Sequence, residues 1–542
     1  MERLAFQKIA IIGLGPRGLG ALEALADCAT ARGVRLEVDI FDTYPEPGAG
    51  PNFDPREPQH CLVNIPLRDI DLRRPEGLDL TPFAQWLGPR FGKDDFPPRA
   101  EVGQYLEQRF DKLKDTATMM TTRHYPEQVE CLQRKDDAWH VHTGPNAHGP
   151  YAEVLMVPGQ PPTRPDDQLA DWKAHAADRD TTLAAAYPAR ALEKAAEQWS
   201  GQTLAIRGFA LSSFDVIRVL TVGQGGRFAG GQYLASGQEP ACIVPFSIDG
   251  KPPYPKPATG EIDARYEPTP DETEVFRKAV FEASKGTPEA AQAHLTDALA
   301  TPVFRILSTF GTEGIRSAVG DWLAREWSDP GCQEDASALE VLKDGVAMAE
   351  GVSAPSIGYV VGQVWRKWQD PLRQAYNPAN TPPATAAAIV GFDEGLKRYS
   401  YGPPVSACRE LMTLIDAGIV SIEWARDPDI SLMNTGWQLN VRDQSVTATV
   451  MIDAVLPSPD PQQVVSPLIS GLMTDGYLTT LDDLGARTAS DGRLIGDDNE
   501  PVQGLSLLGR LALGSVIAAD SLHDCFGASS KRWAEGVLSR LS

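Results

Sequence analysis

The sequence predicts an α/β protein with two Rossmann-like units and a mostly helical insertion. Three observations lead to this fold class. Two glycine-rich turns, at Gly13 and Gly208, each lie between a strand pattern and a helix pattern, about 195 residues apart. Helical patterns fill residues from about 270 to 400, and strand patterns return after about residue 430. A chain of 542 residues has room for all of these elements.

The first unit begins with a short apolar run, Ile9–Ile12, which is typical of a buried parallel strand. Gly13, Gly15 and Gly18 follow with the G-x-G-x-x-G spacing, and Pro16 suits the first turn of a helix. In this motif the first glycine permits a tight turn and the second admits a pyrophosphate close to the backbone. The third lets the helix pack closely on the strand. The free N–H groups of the helix start then face the phosphates.

The next strand, Arg35–Asp42, alternates apolar and charged residues and ends on an acid. Asp42 stands 24 residues after Gly18, where an acid accepts hydrogen bonds from an adenosine ribose. Together these elements predict a nucleotide site, against the alternative of a glycine cluster that serves packing alone. Residues 43–100 are rich in proline, glycine and arginine, and a loop of that length is usually functional.

The second unit starts at Gln202 and has a turn that is poorer in glycine. Gly208 is present, but Ala210 and Ser213 stand in the places of the second and third glycines. A Cβ at the second place keeps a pyrophosphate further from the backbone, which suits a ligand that binds transiently. The alternative is a turn that no longer binds a nucleotide.

Two further residues complete the candidate site of the second turn. Ser212 stands at the start of the predicted helix 212–221. Arg227 follows that helix, where an arginine pairs with a 2′-phosphate and so selects NADPH. The alternative for Arg227 is an ordinary surface arginine.

These patterns divide the chain into three segments. Residues 1–198 are the first part of the first unit, and residues 431–542 are its second part. Residues 199–430 are the second unit, with the helical insertion at about 270–400. The first unit is therefore predicted to be discontinuous, with C-terminal strands that return to complete it.

Composition and charge exclude several classes of function. The net charge of −23 argues against binding to nucleic acids and to anionic membranes. No apolar run approaches the roughly 20 residues that cross a bilayer. The seven cysteines are scattered singly, which predicts reduced thiols and a cytoplasmic location. The eight histidines include no pair with metal-ligand spacing on a helix, so we predict no metal site.

Several segments of the chain resemble one known family. They are Gly13–Leu19, Pro47–Phe53, Cys61–Pro66, Pro97–Arg99, Val157–Gly159, Arg207–Asp215, Tyr401–Pro404 and Gly509–Ser515. The family is that of the FAD/NAD(P)-binding proteins that include bacterial FAD-dependent urate hydroxylases and the amino-acid N-hydroxylases that make nitrososuccinate from aspartate. The resemblance is weakest at about 270–395. Two departures are Ala210, where glycine is usual, and Gln224, where arginine is usual.

The resemblance implies FAD in the first unit and NADPH or NADH in the second. Besides Asp42 at the ribose, the implied FAD contacts are Gly13, Gly15, Pro16, Arg17 and Gly18 at the pyrophosphate, Gly50 and Asn64 beside the isoalloxazine, and Gly159, Gly509, Gly514 and Ser515 at later landmarks. Gly514 and Ser515 are expected to offer backbone N–H groups, from a helix start, to a flavin carbonyl. The implied nicotinamide contacts are Gly208, Ser212 and Arg227.

The resemblance also implies an activity, an FAD-dependent monooxygenase that uses NAD(P)H and O₂. A flavin C4a-hydroperoxide would hydroxylate a small polar metabolite, either at the nitrogen of an amino acid or amine or on a purine-like ring. The cofactor carries such chemistry, which agrees with the lack of a catalytic triad or paired-carboxylate signature. The alternatives are an FAD dehydrogenase or oxidase without oxygen transfer, and a nucleotide-binding protein without turnover.

No catalytic residue is identified by the sequence. Arg68 and Arg73 are candidates for substrate contact, because an arginine holds a carboxylate by a forked pair of hydrogen bonds. The alternative is a cluster of loop salt bridges with Asp71. The substrate, the choice between NADPH and NADH and the oligomeric state stay open.

Overall fold

The computed structural model describes residues 7–179, 181–311, 316–333 and 335–541. Its strands, in chain order, are β1 (Gln7–Ile12), β2 (Leu36–Phe41), β3 (Met120–Tyr125), β4 (Cys131–Lys135), β5 (Ala138–Thr143), β6 (Asn146–Tyr151), β7 (Glu153–Met156), β8 (Thr182–Ala185), β9 (Thr203–Arg207), β10 (Arg227–Ala229), β11 (Gln232–Leu234), β12 (Cys242–Phe246), β13 (Asp429–Met433), β14 (Gly436–Val441), β15 (Gln444–Ala448), β16 (Val450–Asp453), β17 (Arg493–Ile495) and β18 (Pro501–Leu507).

The α-helices of the same residues are α1 (Pro16–Arg32), α2 (Phe83–Leu87), α3 (Arg99–Thr116), α4 (Asp167–Ala177), α5 (Ala189–Ala196), α6 (Leu211–Thr221), α7 (Gly260–Asp263), α8 (Pro270–Ala283), α9 (Pro288–Thr309), α10 (Arg316–Ser328), α11 (Ala338–Ala349), α12 (Ile357–Lys367), α13 (Gln369–Tyr376), α14 (Pro383–Ser400), α15 (Val405–Asp416), α16 (Pro467–Thr474), α17 (Leu522–Cys525) and α18 (Ala528–Leu541).

The first sheet has six strands in the order β17-β18-β7-β1-β2-β3. All neighbours are parallel except β17 and β18. The central strand β1 is buried because both faces of the sheet are covered. Helices α1, α3 and α18 pack on one face, and the sheet β4-β5-β6 packs on the other together with α16. The helix α1 packs between α18 and the sheet, so the C-terminal helix completes the unit that the N-terminal turn begins.

The second sheet has four parallel strands in the order β12-β9-β16-β8. The turn after β9 leads into α6, as the glycine at position 208 predicts. The hairpins β10-β11 and β13-β14-β15 stand outside this sheet. The carboxyl ends of β9, β12 and β16 therefore meet at one edge, where ligands of open α/β sheets bind.

This topology moves the boundaries of the second unit away from the predicted residues 199 and 430. The strand β8 precedes that span and β16 follows it, yet both belong to the second sheet. We therefore propose that the second unit extends from α4 through β16. Sequence patterns place a strand in the chain, but the choice of its sheet depends on pairing between distant residues.

Two extended passages join the units, and they lie side by side. Thr163 and Val464 form an antiparallel bridge between them. The N–H of Arg164 donates to the Gln463 carbonyl at 2.7 Å, and that of Val465 donates to the Pro162 carbonyl at 2.8 Å. The chain thus enters and leaves the second unit at one paired neck.

Helices α8 to α14 occupy the described residues between 270 and 400, as the helical patterns predict. Thr269 and Glu272 form the capping box that starts α8. Trp365 and Trp368 are fully buried, and the Trp368 ring stacks on Phe276 with centroids 4.1 Å apart. These tryptophans are therefore core residues of the helical region.

Candidate functional site

The first glycine turn connects β1 to α1 by close backbone packing. Gly13 has a φ of +101°, and its N–H donates to the Phe41 carbonyl on β2 at 2.9 Å. A Cβ on Gly13 would lie 2.3 Å from the Val157 carbonyl oxygen, and a Cβ on Gly18 would lie 2.4 Å from the Gly13 carbonyl oxygen. The protein's own packing therefore requires glycine at both places.

Gly15 differs from Gly13 and Gly18, because no contact among the described residues requires glycine there. Its φ of −75° suits any residue, and a Cβ there would meet only the Gly50 Cα, at 3.8 Å. Gly15 is the N-cap of α1, and no side chain in the described part of the chain caps the start of that helix. The start of α1 therefore has free N–H groups and no side chain in front of them. This arrangement fits the diphosphate of FAD, and such a ligand explains why the position is glycine.

Asp42 lies at the carboxyl end of β2, half-buried beside the turn. One oxygen of its carboxylate accepts the N–H of Leu14, and the other accepts the N–H of Tyr44 at 2.8 Å. A carboxylate has about four acceptor positions, so two backbone donors leave room for ribose hydroxyls. This placement agrees with the expected ribose contact.

Arg17 is tied to the C-terminal loop and does not point freely from the turn. It forms a salt bridge with Asp524 at 2.7 Å and donates to the Ala519 carbonyl at 2.6 Å. Burial lowers the pKa of Arg17, but the charges of Asp524, Cys525 and Asp520 and the hydrogen bond to Asp524 together outweigh it, so the pKa is raised. A Cβ on Gly509 would lie 3.2 Å from the Arg17 side chain, so Gly509 makes room for this contact.

Two of the remaining predicted FAD contacts lie at the first turn, and the other two lie further away in the chain. Pro16 opens α1 beside Gly15, and Gly50 approaches the Gly15 Cα so closely that a Cβ on Gly50 would lie 3.0 Å from it. Asn64 lies further along the same long loop. Gly159 begins the neck, where a Cβ would meet nothing within 4 Å.

Gly514 and Ser515 do not lie at a helix start, which corrects the expected arrangement. The Gly514 N–H donates to the Val516 carbonyl at 2.9 Å, and the Ser515 N–H donates to the Ala512 carbonyl at 3.1 Å. The next helix, α17, begins only at Leu522. Both N–H groups are engaged within their own loop, so this arrangement does not offer them to a flavin carbonyl.

The second turn repeats the hydrogen bonds of the first. Gly208 has a φ of +108°, and its N–H donates to the Phe246 carbonyl at 2.8 Å. Ala210 is the exposed N-cap of α6, again with no side-chain cap, and Ser212 follows in the first turn of the helix. Ser213 is buried and its hydroxyl donates to the Ala210 carbonyl at 2.6 Å. The start of α6 is therefore open to a phosphate, with a methyl group where the first turn has none.

Arg227 lies at the wrong end of α6 for its predicted role. The sequence places it before a strand of the sheet, but β10 pairs only with β11 in a separate hairpin. That hairpin follows the C-terminus of α6, whose 11 residues span roughly 16 Å from the turn at Gly208. This geometry argues against a contact between Arg227 and a 2′-phosphate.

Of the two arginines predicted to contact substrate, the structure brings only Arg68 to the junction of the units. Arg68 forms a salt bridge with Asp94 at 2.6 Å and donates to the Pro257 carbonyl at 3.2 Å. Arg73 is exposed, and its carbonyl accepts from Arg109, which pairs with Glu23 on α1. Arg73 therefore lies over the helices of the first unit.

Lys256 is the residue at this junction that sequence reasoning missed. It lies in a buried, proline-rich segment, residues 251–257. Its ammonium donates to the Asn64 carbonyl at 2.5 Å and to the Gly402 carbonyl at 2.9 Å. Burial, reinforced by the charge of Arg366, lowers the pKa of Lys256 to about 7. Four prolines around one lysine indicate a rigid segment, but nothing in the pattern marks it as buried.

The other charges around Lys256 pair with each other. Arg366, at the C-terminal end of α12, forms ion pairs with Asp69 and Asp263. Lys367 pairs with Asp263 at 2.7 Å. Among the residues that the structure describes, Lys256 forms no ion pair, although Asp69 and Asp263 are near enough to act on its pKa. Lys256 is thus a buried cation whose charge is not neutralised by direct contact.

Comparison with known proteins agrees with this arrangement. A family model described as FAD-NAD(P)-binding matches residues 10–161. Residues 10–161 are an FAD-NAD(P)-binding domain. The resemblance noted in the sequence is confirmed for this domain, and so is the expected cofactor class.

Two relatives match most of this chain. Nitrosuccinic acid synthase of Aspergillus oryzae is 25% identical, over 86% of this chain and 81% of the relative. An L-aspartate N-monooxygenase (nitrosuccinate-forming) of Streptomyces davaonensis is also 25% identical, over 87% of this chain and 85% of the relative.

Two solved structures share the fold over nearly the whole chain. The ornithine hydroxylase of Pseudomonas aeruginosa is 13% identical with a TM-score of 0.53, and it covers 99% of this chain and 100% of its own. A cadaverine monooxygenase of Erwinia amylovora, solved with FAD, is 10% identical with a TM-score of 0.52, over 99% and 95%. The predicted fold class is confirmed.

Two kinds of feature are absent from the described residues. No helix among them is long and apolar enough to cross a membrane. No group of three or more His, Cys, Asp or Glu side chains among them is placed to hold a metal ion.

Proposed function

We propose that this protein is an FAD-dependent monooxygenase that uses NAD(P)H and O₂ to hydroxylate the nitrogen of an amino acid. The observation that carries the proposal is the pair of uncapped helix starts, α1 and α6, each at the carboxyl edge of its own parallel sheet. The relatives from Aspergillus oryzae and Streptomyces davaonensis carry out nitrosuccinate formation, and their class agrees with the class that the sequence predicts. L-aspartate is therefore the first substrate to test.

The residues of the first turn hold the FAD in this proposal. Gly15 admits the diphosphate to the N–H groups at the start of α1, and Asp42 accepts from the ribose. Bound FAD, once reduced by NAD(P)H, would supply the chemistry that transfers one oxygen atom of O₂ to the amine nitrogen. The protein's contribution is to orient the substrate, to exclude water and to hold charge at the junction of the units.

Lys256 binds the carboxylate of the amino-acid substrate in this proposal. An ammonium has three N–H donors, and two of them go to the carbonyls of Asn64 and Gly402. A buried charge without a counter-ion is costly, so a site that keeps one is suited to a ligand of opposite charge. Asn64 belongs to the segment expected beside the isoalloxazine, and its contact with Lys256 supports a position for this lysine near the reacting end of the flavin.

The test is turnover by the FAD-loaded protein. The purified protein is mixed with NADPH or NADH, O₂ and a panel of L-aspartate, other amino acids, diamines and purines. We expect NAD(P)H consumption that rises with one carboxylate-bearing amino acid, and an N-oxygenated product by mass spectrometry. Hydrogen peroxide equal to all the NAD(P)H consumed, with every compound, would favour the oxidase alternative. A protein that takes up no FAD would favour the non-catalytic one.

A further inference from the structure

The two turns have matching backbone hydrogen bonds. The N–H of the first glycine donates to the last residue of the neighbouring strand, Phe41 in one unit and Phe246 in the other. The strand on the other side of each turn is β7 in the first unit and β16 in the second. The residue that follows it pairs in the same way in both units, since the Val157 N–H donates to the Ile12 carbonyl and the Ala454 N–H donates to the Arg207 carbonyl. Residues of the two units can therefore be matched position by position.

The match places Ser247 where the first unit has Asp42. Each follows the last residue of the strand beside the turn, β2 or β12. The N–H of Asp42 donates to the Tyr125 carbonyl at 3.1 Å, and that of Ser247 donates to the Ala425 carbonyl at 2.9 Å. A carboxylate at this place favours a free 2′-hydroxyl, and its replacement by a serine removes the repulsion that a 2′-phosphate would meet.

Arg426 stands beside Ser247 on the next segment of the same edge. The two residues form a parallel bridge, so Arg426 lies two strand spacings, roughly 10 Å, from Gly208. The chain at Gly250 packs against the Arg426 backbone, since a Cβ on Gly250 would lie 2.5 Å from the Arg426 Cα. The backbone of Arg426 is thus fixed, while its side chain is exposed.

The charges near Arg426 leave its guanidinium available. Within the described part of the chain Arg426 forms no ion pair. Asp249, the nearest acid after Ser247, is held by the Ser247 hydroxyl at 2.6 Å and by an ion pair with Arg398. The exposed Asp427 follows Arg426 in the chain, and its N–H donates to the Ser247 carbonyl at 2.9 Å.

We propose that Arg426, with Ser247 beside it, binds the 2′-phosphate of the nicotinamide cofactor and so selects NADPH over NADH. This inference rests on the proposed use of NAD(P)H and adds the residue that decides between the two cofactors. A guanidinium pairs with a phosphate through two parallel N–H donors, which makes arginine the suitable residue at this edge.

Binding of nucleotide fragments tests the assignment without any turnover. The dissociation constants of 2′,5′-ADP and of 5′-ADP are measured by calorimetric titration on the FAD-loaded protein. The variants are Arg426→Met, which keeps the stem and removes the charge, Arg426→Lys, and Arg227→Met as the matched control from the other end of α6. Anaerobic flavin reduction by NADPH and NADH gives a second measurement.

The wild-type protein is expected to bind 2′,5′-ADP at least about tenfold more tightly than 5′-ADP. Arg426→Met should weaken 2′,5′-ADP alone by about 10- to 100-fold, as the loss of a hydrogen-bonded charge pair implies. Arg426→Lys should recover part of this affinity, and Arg227→Met should change it less than about twofold.

Three results would overturn the assignment and leave the second nucleotide site in place. They are equal wild-type affinity for the two fragments, an equal loss of both in Arg426→Met, and a selective loss in Arg227→Met. These results are independent of the proposed hydroxylation, because a protein that hydroxylates nothing still binds or rejects 2′,5′-ADP. Failure to bind either fragment would overturn the assignment and the second nucleotide site together, while FAD content would still report on the first.

Discussion

The two nucleotide turns have the same backbone hydrogen bonds, but they differ in how well they accommodate a side chain in place of glycine. At the first turn, Gly13 and Gly18 are locked by contacts under 2.5 Å to any added Cβ, and only Gly15 is free of the protein. At the second, a Cβ on Gly208 would lie 3.3 Å from the Ala454 carbonyl, and Ser213 fills the third place without conflict. The difference teaches that the protein's own packing excludes side chains at the first and third places of the first turn, whereas the second turn accepts a side chain at its third place.

Substitution of the first glycine of each turn by alanine should give the largest difference between the turns, measured as loss of stability. Gly13→Ala brings a Cβ to 2.3 Å from Val157 at a φ of +101°, and we expect a loss of about 3 kcal/mol or more of stability. Gly208→Ala meets its neighbour at 3.3 Å, and we expect a loss of about 1–2 kcal/mol. Thermal unfolding of both apoproteins measures this, and equal losses would break the comparison.

The second place should separate ligand binding from folding. A Cβ at Gly15 meets only the Gly50 Cα, at 3.8 Å, among the described residues. We therefore expect Gly15→Val to fold, and its FAD affinity to fall by about 100-fold or more because branched carbons occupy the diphosphate position. Ala210→Val should weaken nicotinamide binding by only about three- to tenfold, since a methyl group is already there. Flavin absorbance after gel filtration and NADPH titration report the two losses. Normal flavin content in Gly15→Val would contradict the assignment of the first turn.

The junction between the two units should respond to pH through Lys256. In the proposed function the charged form of Lys256 binds an anionic substrate, and the pKa of about 7 means that this form is lost above neutrality. We expect kcat/KM for an amino-acid substrate to fall about tenfold per pH unit above about pH 7. Lys256→Arg should flatten this fall, because an arginine stays charged.

A matched control belongs to this measurement. Lys256→Met should raise KM at pH 6 by about 10- to 100-fold, whereas Lys367→Met removes a charge of the same cluster that is already paired with Asp263. An equal change in both variants would indicate a structural role for Lys256.

The smallest expected effect is a gain. Ala210→Gly restores the glycine that the first turn has at its N-cap, where glycine is also preferred to alanine. We expect NADPH affinity to rise by about two- to fivefold with little change in thermal stability. Titration of the flavin-loaded protein measures it, and weaker binding would show that the Ala210 methyl group contacts the nucleotide.

The parts of this molecule that the sequence predicts are those that depend on neighbouring residues. The β1–α1 and β9–α6 turns follow from glycine spacing, and Asp42 follows from its position at the end of the next strand. Sequence patterns do not identify Arg426, because it lies 218 residues after Gly208 in the chain and comes near the turn only through strand pairing.

The errors have the same origin. Arg227 follows α6 in sequence, but the chain there forms a hairpin and not the next parallel strand. Lys256 is buried by the packing of its segment against residues 398–403, which lie more than a hundred residues away in the chain. Local patterns report propensity, whereas burial of a charge depends on what the rest of the chain brings to it.

The paired neck at Thr163 and Val464 has an evolutionary consequence. Because both connections to the nicotinamide-side unit pass through one neck, that unit has the geometry of a cassette set into a loop of the flavin-side unit. Its exchange for another unit needs only two junctions in the chain, and the flavin-side sheet would keep all six of its strands. A new unit would bring its own electron-donor site, and it would also have to replace the contact of Lys256 with Asn64 at the junction.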